Sequence, residues 1–155
     1  MKRLFFIIAI ALFISLNSAP VKAQNYKTGL GLAIDFGDGS TLVGPHLKHF
    51  FDQNAAINGE VLFGANATLL QAMYQYHGNV KEVEGLKWYV GGGPSLQLYD
   101  YGSNFYLVPT AGLDLQFKGA PIAASFDWRP RLYIGSNNSD LNAGRFGLSF
   151  RYIFK

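Results

Sequence analysis

The chain contains no cysteine, and only 15% of its residues are charged. The first absence excludes disulfides, zinc–thiolate centres, a cysteine nucleophile and a lipid-modified N-terminal cysteine. The second leaves too little Lys and Glu to coat a water-soluble sheet. Beyond Gln24 no stretch keeps a 3.6-residue apolar period, so amphipathic helices are not expected. The longest apolar run, Leu4 to Leu16, is shorter than the about 20 residues that a membrane-crossing helix needs. An excess of one charge is also missing. Of 13 Lys and Arg against 10 Asp and Glu, three cations (Lys2, Arg3 and Lys22) fall in the first 23 residues, and the remainder is neutral. That removes the electrostatic case for a nucleic-acid partner.

What is present begins with a leader. Residues 1–23 run from the basic Lys2-Arg3 through the apolar segment to Val21-Lys22-Ala23 before Gln24. This is the pattern of a secretory signal peptide, with cleavage expected near Ala23 and a single β-barrel domain over 24–155. Export without cysteine suits a bacterial envelope protein.

The 18 Gly, 13 Phe and 9 Tyr favour short strands, and period-two alternation recurs almost to the last residue. In the first segment Tyr26, Thr28, Leu30, Leu32, Ile34 and Phe36 share one face, with Lys27, Gly29, Gly31, Ala33 and Asp35 on the other. The last repeats it: Phe146, Leu148, Phe150, Tyr152 and Phe154 oppose Arg145, Gly147, Ser149 and Arg151. Between them strands are expected near 41–51, 55–64, 68–78, 86–100, 105–117 and 122–133, eight in all. Turn-forming clusters such as Gly37-Asp38-Gly39-Ser40 and Gly135-Ser136-Asn137-Asn138-Ser139 separate them. The expected fold is all-β, an eight-stranded antiparallel up-and-down transmembrane barrel.

The polar face decides which way the apolar face points. Glycine interleaved with Arg, Asp, Glu and Tyr suits a narrow bore, where missing side chains leave room for long ones from neighbouring strands. The expected lumen network is Lys27, Asp35, His46, Lys48, Glu60, Lys87, Asp114, Asp127, Arg129, Arg131, Arg145 and Arg151. Aromatics near segment ends, including Tyr26, Phe36, Phe51, Trp88, Tyr101, Phe105, Phe117, Trp128 and Tyr152, are expected to form two interfacial girdles. On this facing Leu148→Arg should cost about 2–4 kcal/mol and Gly147→Ala should be milder.

These residues resemble the small outer-membrane β-barrel family of OmpA-like and OmpX-like eight-stranded type, over essentially the whole chain after the leader. The terminus Phe150-Arg151-Tyr152-Ile153-Phe154-Lys155 is similar to the family's C-terminal insertion signal. The resemblance assigns Phe150, Tyr152 and Phe154 to recognition by the barrel-assembly machinery, although Lys155 follows the aromatic on which such chains usually end. Ser125-Phe126-Asp127-Trp128-Arg129-Pro130 resembles the penultimate strand of Bacteroidetes-type outer-membrane proteins. The implied partners are outer-membrane lipid and the assembly machinery, and the implied state is a monomer in the cell outer membrane. With the amino terminus on the inner side, the outward loops near 37–40, 65–67, 101–104 and 134–142 are short, which disfavours an adhesin.

No motif carries chemistry above this background. His46 and His49 fall on opposite strand faces, wrong for one metal, and Ser95 and Ser125 have no sequence-local base. Gly29-Leu30-Gly31 and Gly91-Gly92-Gly93 lack the helix and the lysine of a phosphate-binding loop. No catalytic residue, cofactor or metal is expected. The leading expectation is an envelope-structural outer-membrane barrel with a polar-plugged lumen, porin-like in fold but too narrow for a general porin. The alternatives are a rim-located lipid A-modifying enzyme and a soluble periplasmic barrel for a small apolar ligand.

Overall fold

Strict alternation along each segment produces strands with two chemically opposite faces, and closing them on themselves hides one face. The computed structural model describes residues 26–135 and 140–154. The expected leader, the Ser136–Ser139 part of the last turn cluster and Lys155 lie outside the described residues.

The elements are β1 (Thr28–Gly37), β2 (Leu42–Phe50), β3 (Ala55–Phe63), β4 (Thr68–Asn79), β5 (Leu86–Tyr99), β6 (Gly102–Gln116), β7 (Ile122–Trp128), β8 (Arg131–Tyr133), β9 (Leu141–Asn142) and β10 (Arg145–Phe154). From β1 to β7 each strand pairs antiparallel with the next, β7 pairs with β10 and β10 with β1 to close the ring, and the short β8 pairs with β6 and β9. The segments β7 with β8, and β9 with β10, each make one stave. The result is a closed, eight-stranded, up-and-down barrel without helices among the described residues.

The break after Trp128 has a local cause. Pro130 cannot donate a ladder hydrogen bond, and the register from Ala111↔Trp128 to Leu107↔Leu132 sets it opposite another proline, Pro109. On the facing stave the pairing passes from Phe146↔Trp128 to Arg131↔Asn142, which leaves one extra residue near Ala143-Gly144. That bulge is tied down by the Arg129 N–H donating to the Arg145 carbonyl at 3.0 Å and by Trp128 Nε1 donating to the Ala143 carbonyl at 2.6 Å.

Large apolar side chains cover the outside: Leu32 is 59% exposed, Phe150 52% and Phe126 50%. They meet across the staves in rungs such as Leu32↔Phe150 and Ile34↔Leu148. Two small apolar clusters lie within the bore. At the end where β1 begins and β10 ends, Tyr26, Phe50, Ala56, Ala123 and Ile153 pack together, with Tyr26 and Phe50 edge to face at 5.1 Å. Toward the opposite end Ala33, Leu42, Leu62 and Leu69 form a wedge against β1–β4.

Tyr26 corrects the alternation. Extended parity puts it outside with Thr28 and in a girdle; it turns inward and is buried. The last backbone bond on this side is the Phe50 N–H donating to the Lys27 carbonyl at 2.8 Å; Tyr26 lies one residue beyond it, and its ring folds across the mouth onto Phe50. The remaining girdle candidates face outward at or near strand ends, with Tyr101 fully exposed, Phe51, Phe105, Phe117, Trp128 and Tyr152 exposed over roughly half their surface, and Phe36 and Trp88 more buried.

Candidate functional site

The bore is a stack of ion pairs built from inward positions of alternate residues. Its lowest node, toward the start of β1 and the end of β10, is Asp114 on β6. Arg151 Nη2 donates to both Asp114 oxygens at 2.6 Å, and Lys48 Nζ donates at 2.8 Å. The other Arg151 nitrogen, Nη1, donates to Ser125 and Ser149 at 3.0 and 2.8 Å, and the two hydroxyls share a 2.6 Å hydrogen bond. Lys48 also sits over the Tyr89 ring, 4.4 Å from its centroid, a cation–π contact strengthened by exclusion of water.

The middle node centres on Arg129. Its Nε and Nη2 hold the two oxygens of Asp127 at 2.5 and 2.8 Å, and Nη1 donates to Glu60 Oε2 at 2.7 Å. Asp127 and Arg129 are two residues apart on one strand face, which lets the planar guanidinium fold back into a bidentate pair. Glu60 also accepts from Asn58 at 2.9 Å and Gln71 at 2.6 Å. Tyr89 joins the two nodes, donating its hydroxyl to Asp127 at 2.5 Å while its ring faces Lys48.

At the upper node one carboxylate serves two cations. Asp35 accepts from Arg145 Nη2 and lies 2.9 Å from Arg131 Nη2, with Arg129 further off at 3.8 Å. Arg145 Nη1 is spent on the backbone, donating to the carbonyls of Asp38 and Ser40 at 2.8 Å each. Above this node, beside the apolar wedge, a polar cup of about 390 Å³ opens at the loop end of the barrel, lined by Arg131 and Arg145 and by Tyr99, Tyr106 and Tyr133.

Four acids and five bases are therefore interior: Asp35, Glu60, Asp114 and Asp127 with Lys48, Arg129, Arg131, Arg145 and Arg151, all at most 6% exposed. His46 joins them, with Nδ1 3.3 Å from Glu60 Oε1, and so does His77, with Nε2 3.4 Å from Lys48 Nζ. Two expected members do not. Lys27 is exposed ahead of β1, in the segment that loses its strand parity. Lys87 is half-buried at the lower mouth, donating to the Gln53 carbonyl at 3.0 Å and lying over the Phe50 ring. Phe150, Tyr152 and Phe154 all lie on the outer face of β10, each roughly half exposed.

Sequence reasoning missed His77, Tyr89 and the glutamine and asparagine donors. Their inward parity was available, but uncharged polar residues stand out little against a glycine-rich face.

Hydroxyl chemistry is sparse. Ser125 and Ser149 are bonded to each other and to Arg151 rather than to a base. Thr28 Oγ1 lies 2.9 Å from His49 Nδ1 on the outer face, and no carboxylate among the described residues is within ion-pairing distance of that histidine. Among the described residues no group of three His, Asp or Glu side chains is placed to hold a metal ion.

A scan against protein-family models and a search of curated proteins both find no match to this chain.

Proposed function

We propose that this chain is an integral outer-membrane β-barrel of envelope-structural role, exported through a cleaved leader and carrying out no catalytic step. One observation supports the reading above all: the wall is wetted the wrong way round for water. Leu30, Leu32, Val43, Leu47, Leu113 and Phe126 face out at 43% exposure or more, while nine charged side chains lie inside. A soluble monomer rarely exposes an apolar patch beyond a few hundred Å², and this one girdles the molecule. Hydrocarbon is the solvent that such a surface requires, and a closed ladder is one of two backbone arrangements that hydrocarbon tolerates. Strands of 9 or 10 residues in β1, β2, β3 and β10 agree with the about 9–11 that cross a bilayer when tilted.

A soluble barrel for an apolar ligand needs an oily interior, which this bore does not have. A lipid A-modifying enzyme needs an activated nucleophile at the rim, and among the described residues Thr28–His49, where β1 begins, is the nearest approach. The resemblance of the terminus to an insertion signal adds the barrel-assembly machinery as a transient partner.

The reading is tested by fractionation after carbonate wash and by gel mobility with and without boiling in detergent. Retention in the outer-membrane fraction with a heat-dependent mobility shift is expected. Release as a soluble species would overturn it. Lipid A mass profiles from a deletion strain are expected to be unchanged.

A further inference from the structure

The partnerless guanidinium nitrogens of the bore, Arg131 Nε, Arg145 Nε and Arg151 Nε, are sealed away from any ligand. What opens into the cup at the loop end is a different set of groups. Gln97 lines the cup and is 6% exposed. Its amide oxygen takes a long contact of 3.4 Å from Arg131, while its amide nitrogen donates to nothing among the described residues. That nitrogen is not one of the sealed atoms, so it keeps an open side, and the space beside Gln97 is the cup. A donor on a side chain more than nine-tenths buried is costly to leave idle, and an acceptor that enters the cup removes the cost. At the rim stand Asp38 and Asp140, both exposed, whose carboxylates have no ion-pair or hydrogen-bond partner among the described residues. Tyr99, Tyr106 and Tyr133 complete the wall, with Tyr106 and Tyr133 5.7 Å apart between ring centroids.

We propose that this cup binds a neutral sugar ring, its hydroxyls donating to Asp38 and Asp140 and accepting from Gln97, with tyrosine against its flat face. Three features define the class. The volume of about 390 Å³ lies within the range of small-molecule pockets, about 300–1,000 Å³. The charges turn an anion away, because Asp38, Asp140 and the Asp35 beneath them are three acids against Arg131 and Arg145. A hydroxyl both donates and accepts, and so fits a rim of acceptors above an amide that donates. The apolar side of a sugar ring fits a wall of tyrosines, whose rings are apolar and whose hydroxyls stay wet.

The test is titration of the full-length barrel, in a detergent without a sugar headgroup, with glucose, galactose and mannose, followed by amide shifts. Glucuronate and glucosamine are the charged counterparts. Saturable shifts at the Gln97 side-chain amide and at Asn104 and Tyr133 are expected with at least one neutral sugar and not with glucuronate. Asp38→Asn keeps the shape of the rim but removes a charged acceptor, and should weaken binding about tenfold. Ser40→Trp is a second probe. It leaves in place the backbone carbonyl that Arg145 uses, fills the cup that Ser40 lines, and should abolish binding while heat-dependent gel mobility is kept. The assignment is overturned by no saturable response to any neutral sugar, by an equal response to glucuronate, or by a response confined to glucosamine. Unchanged affinity in Asp38→Asn, or full binding by a folded Ser40→Trp, would overturn it as well.

Discussion

The guanidinium of Arg129 lies against the backbone of Gly147: a Cβ built on that glycine would be 2.0 Å from Nη2 and 2.2 Å from Cζ. Gly147 faces the bore from β10, directly opposite Asp127 on β7, so the missing side chain is the space into which the Asp127–Arg129 pair folds. Such absences let long charged groups fill an eight-stranded tube.

Gly147→Ala should therefore carry a cost of its own, although it faces the bore. The methyl must push aside a guanidinium held by Asp127 and Glu60, and overpacking of this kind costs about 1–3 kcal/mol. Urea unfolding of the detergent-solubilised barrel should show a lowered midpoint; an unchanged one would mean that Arg129 is free to move.

Arg129→Met leaves Asp127, Glu60 and Asp35 facing one another without their shared cation. Loss of one partner from a buried pair costs about 3–5 kcal/mol. Adding Asp127→Asn should restore part of that loss, so the double variant should be more stable than Arg129→Met alone. Strict additivity of the two costs would show that the groups do not interact.

Leu148→Arg puts a charge on the outer wall beside Ile34. In a bilayer the expected cost is about 2–4 kcal/mol near mid-depth, falling toward either interface. Equal stability of wild type and variant in vesicles would contradict immersion of this face.

The β2–β3 turn gives a pH prediction. The carboxylate of Asp52 accepts the backbone N–H groups of Asn54 and Ala55 at 2.7 and 2.8 Å, and these bonds lower its pKa below the ordinary aspartate value. A depressed folded value means that the stabilisation is complete above the ordinary pKa and is lost as pH falls through the lower folded one. Amide exchange at Asn54 and Ala55 should therefore lose protection in acid, and Asp52→Ala should remove it at all pH values. Protection that ignores both changes would show the turn to be held by other bonds.

The wall was legible in the sequence because period-two alternation is a local property: each of the eight staves lies where apolar and small-or-charged residues alternate, from Thr28 to Phe154. The lumen face was legible for the same reason, through the charges that punctuate it. Pairing was not. Glu60 and Arg129 are 69 residues apart, and which acid meets which base depends on how the staves are offset around the ring. The cup was hidden by the same distance, since Arg131 and Tyr133, Tyr106, and Arg145 come from β8, β6 and β10. Lys27 and Tyr26 failed for the opposite reason: they lie ahead of β1 at the mouth, where the ladder ends with the Lys27 carbonyl and alternation no longer dictates direction.

The nodes differ in sign along the barrel axis. Asp114 with Lys48 and Arg151 carries an excess positive charge, Arg129 between Asp127 and Glu60 an excess negative one, and Asp35 with Arg131 and Arg145 a positive one again. A travelling ion of either polarity would be drawn toward one station only to be turned back at the next, with no steadily downhill route. Set in a bilayer, as proposed, such a bore would be an electrical insulator by arrangement as well as by narrowness, and many copies would leave that membrane's permeability barrier intact.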